Sequence, residues 1–465
     1  MVSERASDTH DGPLRVLIAG GGVAALETLL ALRALAGDRV APMMFAPDPS
    51  FHYRPLSVTE PFGRAIARNL DLAEVALEHG ATFLRDGLAE VDTTQRVATT
   101  TGGRELDYDV LVIAIGARGA DGIKGALTFH DSFDGGTYAE VLKRLEQGDL
   151  KRLAFVVPDG VAWPLGLYEL ALLTSARLHE LGIEDCELAL VTPEASPLSV
   201  FGAKASNAVK AILEEAGIEL WLKRRSTDFY DGELRIADEQ PLACECAVAL
   251  PVPEVVPIGG LAQDDRGFLA VDRYGGVLGA EAVFAVGDVT TFPIKQGGVA
   301  TQAADSAASA IAAVAGAEID PQQFQPVLRG ALLTEWGPRY LRAKTTALTG
   351  EASKSVLWWP PAKIAGRYIA PYLAGKAGYK LPGRLLTDLQ PPQGDDPADL
   401  KHGHEDVFDM ALVSADLNAG ARDYGRALGW LEIAEDLELY LPREYELRRA
   451  SWQELANRAR QAGHG

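Results

Sequence analysis

The stretch Leu14-Arg-Val-Leu-Ile-Ala19-Gly20-Gly21-Gly22-Val23-Ala24-Ala25 decides the fold. Its first six residues form a short apolar run of the kind a parallel sheet buries on both faces, and three glycines then turn the chain into an apolar-periodic stretch from Val23 to Leu35. Strand, glycine turn and helix thus follow one another, with the spacing G-x-G-x-x-A at Gly20, Gly22 and Ala25. Glycine permits the tight turn and a close backbone approach. The helix N-terminus adds unpaired N–H groups and a positive dipole end, so the pyrophosphate of a dinucleotide fits there. A glycine turn that merely packs helix on strand is the plainer alternative, and the strand-turn-helix context weighs against it.

Outward from this turn, Val40 to Phe45 reads as a second strand ending in Ala46-Pro47-Asp48-Pro49, and Tyr108 to Gly116 as another buried strand. A ribose-binding acid belongs at the end of the second strand. Ala46 stands at that point, so Asp48 is the candidate, the alternative being a turn aspartate between prolines. A second α/β unit starts at Leu153 to Val157, continues through a helical pattern from Leu165 to Leu181 and a strand from Glu187 to Val191, and closes with Cys246 to Leu250. The strand-like Ala282 to Asp288 and the alanine-rich helix Val299 to Ala315 return the chain to the first unit, so the second is expected as an insertion.

The resulting division is a polar arm (1–13), a first dinucleotide-type segment (14–120), the inserted unit (121–255), the return segment (256–327), a C-terminal module (328–389), a linker (390–405) and a tail (406–465). In the module, strands are expected at Gly330 to Thr334 and Thr345 to Thr349 and a helix at Ala362 to Ala374. The tail carries two apolar-periodic helices, Asp406 to Ala419 and Tyr424 to Leu437, a single hairpin of tetratricopeptide type without the repeats a solenoid needs.

Length and composition bound the function. At about 150 residues per domain, 465 residues imply roughly three domains. Forty-four basic against 65 acidic side chains give a net charge of −21, which disfavours nucleic acid as a partner. Three cysteines, Cys186, Cys244 and Cys246, are too few for a disulfide framework. With no apolar leader or spanning segment in view, a cytoplasmic protein is expected.

The glycine fingerprint, Tyr53-Arg54-Pro55-Leu56, Val112-Ile-Ala-Ile-Gly116, Ala285-Val-Gly287-Asp288 and Lys295-Gln-Gly297-Gly298 together resemble the two-dinucleotide-domain flavoproteins, in particular the sulfide:quinone oxidoreductase and type II NADH dehydrogenase branch. The likeness covers about residues 14 to 385. It implies an α/β fold of two Rossmann-like FAD/NAD(P)-binding domains, the second inserted in the first, with a C-terminal α+β module and a helical tail. It implies FAD in the first unit, held by Gly20, Gly22, Ala25, Asp48, Arg54, Pro55, Gly116 and Gly287, with Asp288 on the ribityl chain. Lys295, Gly297 and Gly298 would face the flavin pyrimidine ring. There a helix N-terminus and a lysine favour a reduced, anionic flavin, the dipole alone contributing about 0.3–1 kcal/mol.

The departures from the family are informative. Sulfide oxidation in this branch uses a G-x-x-C turn early in the second unit, where this chain has Gly160-Val-Ala-Trp163. Cys244 and Cys246, at i and i+2 of an expected strand, point to one face but lie away from where redox cysteines belong. Of a second glycine loop for NAD(P)H only Gly160 and Glu169 survive, because Pro158 removes a donor and Trp163 adds bulk where phosphate would sit. Trp163 is instead expected to pack over the flavin or close the site. The module's Trp336, Trp358, Trp359, Tyr368 and Tyr372, with Lys363, Arg367 and Lys376, suggest peripheral membrane contact, a dimer face or plain core. His402 and His404 lie in the linker without further metal ligands.

The expected activity is FAD-dependent electron transfer from NAD(P)H or another small donor to a quinone-like or other acceptor. The alternatives are a flavin-bound or inactive scaffold whose tail recruits a protein partner, and a sulfide:quinone-type enzyme lacking the usual cysteines.

Overall fold

The computed structural model describes residues 12–63, 69–130, 135–335, 337–345, 350–353, 357 and 363–376 and, in the tail, 411–412, 415–416, 419, 424–436 and 443–462. Strand β1 (Leu14–Ala19) leads through the glycines into helix α1 (Val23–Ala36), followed by β2 (Val40–Ala46), β3 (Thr82–Arg85) and β4 (Val110–Ile113). The second unit contributes β5 (Leu127–Thr128), β6 (Arg152–Val156), α2 (Leu165–Glu180), β7 (Glu187–Thr192), β8 (Ile218–Leu222) and β9 (Cys246–Ala249). The chain then supplies β10 (Val283–Ala285) and α3 (Gly297–Val314).

These strands form two parallel sheets, in the orders β10-β4-β1-β2-β3 and β5-β9-β6-β7-β8. Alternate residues explain why continuous apolar runs are needed. Val16 and Ile18 of β1 enter one core while Leu17 and Ala19 enter another on the opposite face. Leu153 and Phe155 of β6 are divided from Ala154 and Val156 in the same way. Because β10 pairs with β4 only after the whole second sheet has been made, the second Rossmann-like unit is inserted in the first.

Next come an antiparallel sheet of β11 (Val327–Leu332), β12 (Arg339–Lys344) and β13 (Gly350–Ser353), then α4 (Ile369–Lys376). The middle strand lies upstream of the expected Thr345 to Thr349, whose last four residues fall outside those described; arginines and a lysine on β12 interrupt the apolar period there. Helix α4 starts later than the expected Ala362, at a carboxylate from another element: Glu27 of α1 accepts the N–H groups of Tyr368 at 2.9 Å and Ile369 at 2.6 Å. Leu328, Leu332 and Leu341 join the second unit's core, whereas Ile364, Tyr368 and Ile369 join the first unit's. The module thereby bridges both units.

In the tail, α5 (Tyr424–Asp436) and α6 (Arg443–Ala462) close a core of their own with Leu412, Ala415, Leu431, Tyr445 and Trp452. Helix α6 was not legible as a third helix because charged residues dominate it and, among its described side chains, a narrow stripe of Tyr445, Trp452 and Ala456 turns inward. The expected hairpin is therefore corrected to an assembly that includes this helix. The arm up to residue 11, the linker with His402 and His404, and Trp336, Trp358 and Trp359 lie outside the described residues.

Candidate functional site

Ligands of doubly wound sheets bind beyond the C-terminal ends of the strands. In the first sheet that edge brings together Gly20 to Gly22 after β1, Asp48 after β2, Gly116 after β4, and Gly287 with Asp288 after β10. Gly20 has φ +131°, and a Cβ on it would stand 2.2 Å from the Ala114 carbonyl oxygen, so only glycine fits. Gly22 is the N-cap of α1 and has no side-chain cap; a Cβ there would meet nothing within 4 Å. The helix end thus faces open space while its own first turn is buried, Ala25 completely. These residues fit a pyrophosphate.

The far side of the edge is built by close packing. A Cβ on Gly287 would come within 3.0 Å of the Ala24 Cβ and 3.2 Å of the Ala300 Cβ, so this glycine lets α1 and α3 converge. Asp288 beside it makes no side-chain hydrogen bond among the described residues. Desolvation pushes its carboxyl up to about 6 against the pull of Lys295 and Arg54. A partly buried acid without a donor at the strand edge matches a carboxylate that receives a ligand hydroxyl. Arg54 itself is exposed at the start of a nine-residue 3-10 segment, Arg54–Phe62, and the Pro55 carbonyl accepts the Lys363 Nζ at 3.0 Å.

Lys295 is turned toward its own loop. Its Nζ donates to the carbonyls of Thr290 and Phe292, lies 3.9 Å from the Phe268 ring centroid, and is pulled down to about 8 by desolvation, which outweighs the attraction of Asp288. Gly297 and Gly298 open α3, whose N-cap is Gln296; the Gln296 Oε1 accepts the Val299 N–H at 2.8 Å. A Cβ on Gly297 would meet Ile364 at 3.1 Å, so the module closes over this helix end. Asp48 accepts the Ser50 N–H at 2.9 Å and lies 3.0 Å from His52 Nε2, with its side chain 57% exposed. Burial works against its charge, but Ser50 and His52 prevail and hold it below the ordinary value.

The second unit supplies three further candidates, Gly160, Trp163 and Glu169. Gly160 has φ +83° and packs near Arg266. The half-buried Trp163 ring packs on Phe201, 5.4 Å between centroids, against a core that also takes in Val58 and Val299 of the first unit. Glu169, 1% exposed on α2, accepts the Leu333 N–H at 3.0 Å and the Lys363 Nζ at 2.6 Å, so both its oxygens are engaged on protein donors. Burial nonetheless raises its carboxyl above the ordinary value, with Lys363 opposing. Lys363 thus ties α2 to the Pro55 turn of the first unit, a junction that sequence reading missed because its partners lie far apart in the chain.

Sequence reading also missed Glu194, two residues beyond β7 just as Asp48 lies two beyond β2. Its carboxylate receives the Tyr168 hydroxyl at 2.6 Å, the Thr192 hydroxyl at 3.1 Å and the Ser199 N–H at 3.3 Å. The repeated offset from the strand end was the signal that would have found it.

The expectation that Cys244 and Cys246 share a face is corrected. Strand β9 begins only at Cys246, and the two thiols enter cores on opposite sides of the sheet. Burial pushes Cys186 and Cys244 up to about 11 and raises Cys246, which leaves them inert as nucleophiles near neutrality. Of the module's aromatic and basic residues, Tyr368 is 3% exposed, and Tyr372 and Lys376 both donate to Glu78. Among the described residues no helix is long and apolar enough to cross a membrane, and no group of three or more His, Cys, Asp or Glu is placed to hold a metal ion.

Comparison with known proteins agrees with this layout. The pyridine nucleotide-disulphide oxidoreductase family profile matches residues 14–313. The ferredoxin–NAD(+) reductase subunit of the benzene 1,2-dioxygenase system of Pseudomonas putida is 26% identical over 316 residues, 61% of this chain and 68% of that protein. The solved sulfide:quinone oxidoreductase of Aquifex aeolicus aligns with a TM-score of 0.67 at 18% identity, covering 73% of this chain and 86% of its own. A ferredoxin reductase from Rhodopseudomonas palustris aligns with a TM-score of 0.52 at 18% identity, covering 70% and 81%. At such identities the structural likeness concerns the fold.

Proposed function

The chain belongs to the pyridine nucleotide-disulphide oxidoreductase family, and from that premise we propose that it takes electrons from a small donor at FAD and delivers them to a quinone-like or other acceptor. It is an FAD-dependent oxidoreductase with two Rossmann-like units. The observation that carries the reading is the first unit's strand edge, where the uncapped, open N-terminus of α1 and an Asp288 carboxylate that makes no side-chain hydrogen bond among the described residues lie together across Gly287.

Gly20 and Gly22 would receive the pyrophosphate, Asp48 the adenosine ribose, and Asp288 the ribityl hydroxyls. Arg54, Pro55 and Gly116 would border the cofactor. FAD supplies two-electron transfer, chemistry that the raised thiols of this chain do not offer. Lys295 keeps a positive charge near Asp288 and, with its N–H groups on Thr290 and Phe292, holds the loop that leads into α3. Gln296 fixes the first turn of that helix, and Ile364 keeps water from its end. A quinone-like acceptor is supported by the fold shared with the Aquifex aeolicus sulfide:quinone oxidoreductase.

The test is the visible spectrum of the purified protein, followed near ~450 nm under anaerobic titration with candidate donors and then with a soluble quinone. The expected result is a yellow protein that bleaches with a donor and recovers its colour with quinone. A colourless protein that takes up no added FAD overturns the reading.

A further inference from the structure

The two units correspond through one shared hydrogen bond. The Gly20 N–H reaches the Phe45 carbonyl at 2.8 Å, and the Val157 N–H reaches the Val191 carbonyl at 2.9 Å; each donor immediately follows the paired end of its unit's first strand. Gly20, Gly21 and Gly22 therefore correspond to Val157, Pro158 and Asp159. In the first unit the helix begins directly at Val23, whereas in the second it waits until Leu165, with Pro164 as its N-cap. Where a diphosphate would need a glycine backbone and free N–H groups, the second unit offers a proline and a carboxylate.

The ribose end is closed as well. Glu194 occupies the second unit's counterpart of Asp48, but a carboxylate has about four acceptor sites, and Tyr168, Thr192 and Ser199 already use three. The turn that brings Ser199 back to Glu194 runs through Leu198, a buried non-glycine residue at φ +50°, a strained conformation that persists only where its surroundings enforce it. Trp163 on Phe201 and Pro158 against Gly122 pack the rest of the loop.

We infer that the second Rossmann-like unit is sealed against nicotinamide dinucleotides by its own side chains, with Tyr168 locking Glu194 away from ribose and Val157-Pro158-Asp159 denying the phosphates a cradle. The electron donor is then a small reductant that meets the flavin without docking on this unit. This rests on the flavoenzyme reading above and narrows its donor.

The experiment is calorimetric titration of the FAD-loaded, full-length protein with NAD+, NADP+ and, anaerobically, NADH. Wild type is expected to show no binding tighter than about 1 mM, and the double substitution Asp159→Gly with Tyr168→Phe to tighten binding at least about 10-fold. Wild-type binding tighter than about 100 μM overturns the seal, and a folded, yellow double variant with no gain overturns the assignment to these residues. Binding by wild type between those limits, with no rapid flavin bleaching by NADH, counts for a weakened groove and against a seal. The flavin spectrum of the same sample keeps the two readings apart: a colourless protein sinks the flavoenzyme, a yellow protein indifferent to NADH is what the seal requires.

Discussion

The two parallel sheets share one four-strand order, β4-β1-β2-β3 and β9-β6-β7-β8, and differ in what stands at their C-terminal edges. The first ends in glycines, an uncapped helix and an acid more than half exposed; the second ends in valine, proline, an aspartate and an acid that already takes three protein donors. The difference teaches that strand order fixes where a ligand site can be, while a few backbone N–H groups and one carboxylate decide whether it is available.

The Lys363–Glu169 junction, which ties the second unit to the Pro55 segment of the first, carries the largest expected effect. Lys363→Met leaves Glu169 buried without its cation, and loss of one partner of a buried pair costs about 3–5 kcal/mol, measurable by urea unfolding at pH 7.5. Glu169 is already raised by burial and rises further in the variant. A raised carboxyl is neutral in both states at low pH and penalises the fold as pH rises through its native value, so the deficit is expected to shrink at pH 5. An equal deficit at both pH values contradicts this account.

Grafting the second unit's chemistry onto the first is the sharper test. Gly22→Asp places the counterpart of Asp159 at the open N-cap, where nothing lies within 4 Å, so stability is preserved while FAD affinity falls by about 100-fold, about 2.7 kcal/mol. Retained FAD in the purified variant would break the assignment of this turn to the pyrophosphate.

A smaller effect is expected at Asp288. Its carboxyl, pushed up to about 6, favours the protonated fold, so its contribution is present at low pH and lost as pH rises through about 6. In FAD-free protein Asp288→Asn should therefore raise stability by about 1–2 kcal/mol at pH 8 and flatten the melting profile between pH 4 and 7, even as it weakens FAD binding. A melting profile unchanged from wild type would show that Asp288 is not held at a desolvated edge.

The least effect is predicted for the cysteines. Replacing Cys186, Cys244 and Cys246 together by alanine should change the rate of flavin reduction by less than about 2-fold, since thiols with raised pKa values supply little thiolate. A larger loss in rapid-mixing traces would restore a thiol role.

Much of this was readable in one dimension. The runs at Leu14 and Val110 are buried on alternate faces as parallel strands require, and the return of the chain at Val283 made the second unit an insertion. Helix α6 and the start of α4 were not readable. The first owes its place to a narrow apolar stripe and the second to Glu27, more than three hundred residues upstream.

For the site the division is similar. The sequence alone showed that Gly20 to Gly22 can turn the chain tightly and that Pro158 removes a backbone donor from the loop before Gly160, because glycine freedom and proline's missing donor are local properties. Only the tertiary structure decided what happens to carboxylates. Glu169, Glu194, Asp48 and Asp288 look alike along the chain, yet a lysine, a tyrosine, a histidine and a desolvated edge give them four different surroundings, in which Asp48 alone is held below its ordinary value. The energy of a charge depends on which donors and how much water surround it, and both are set by residues distant in sequence.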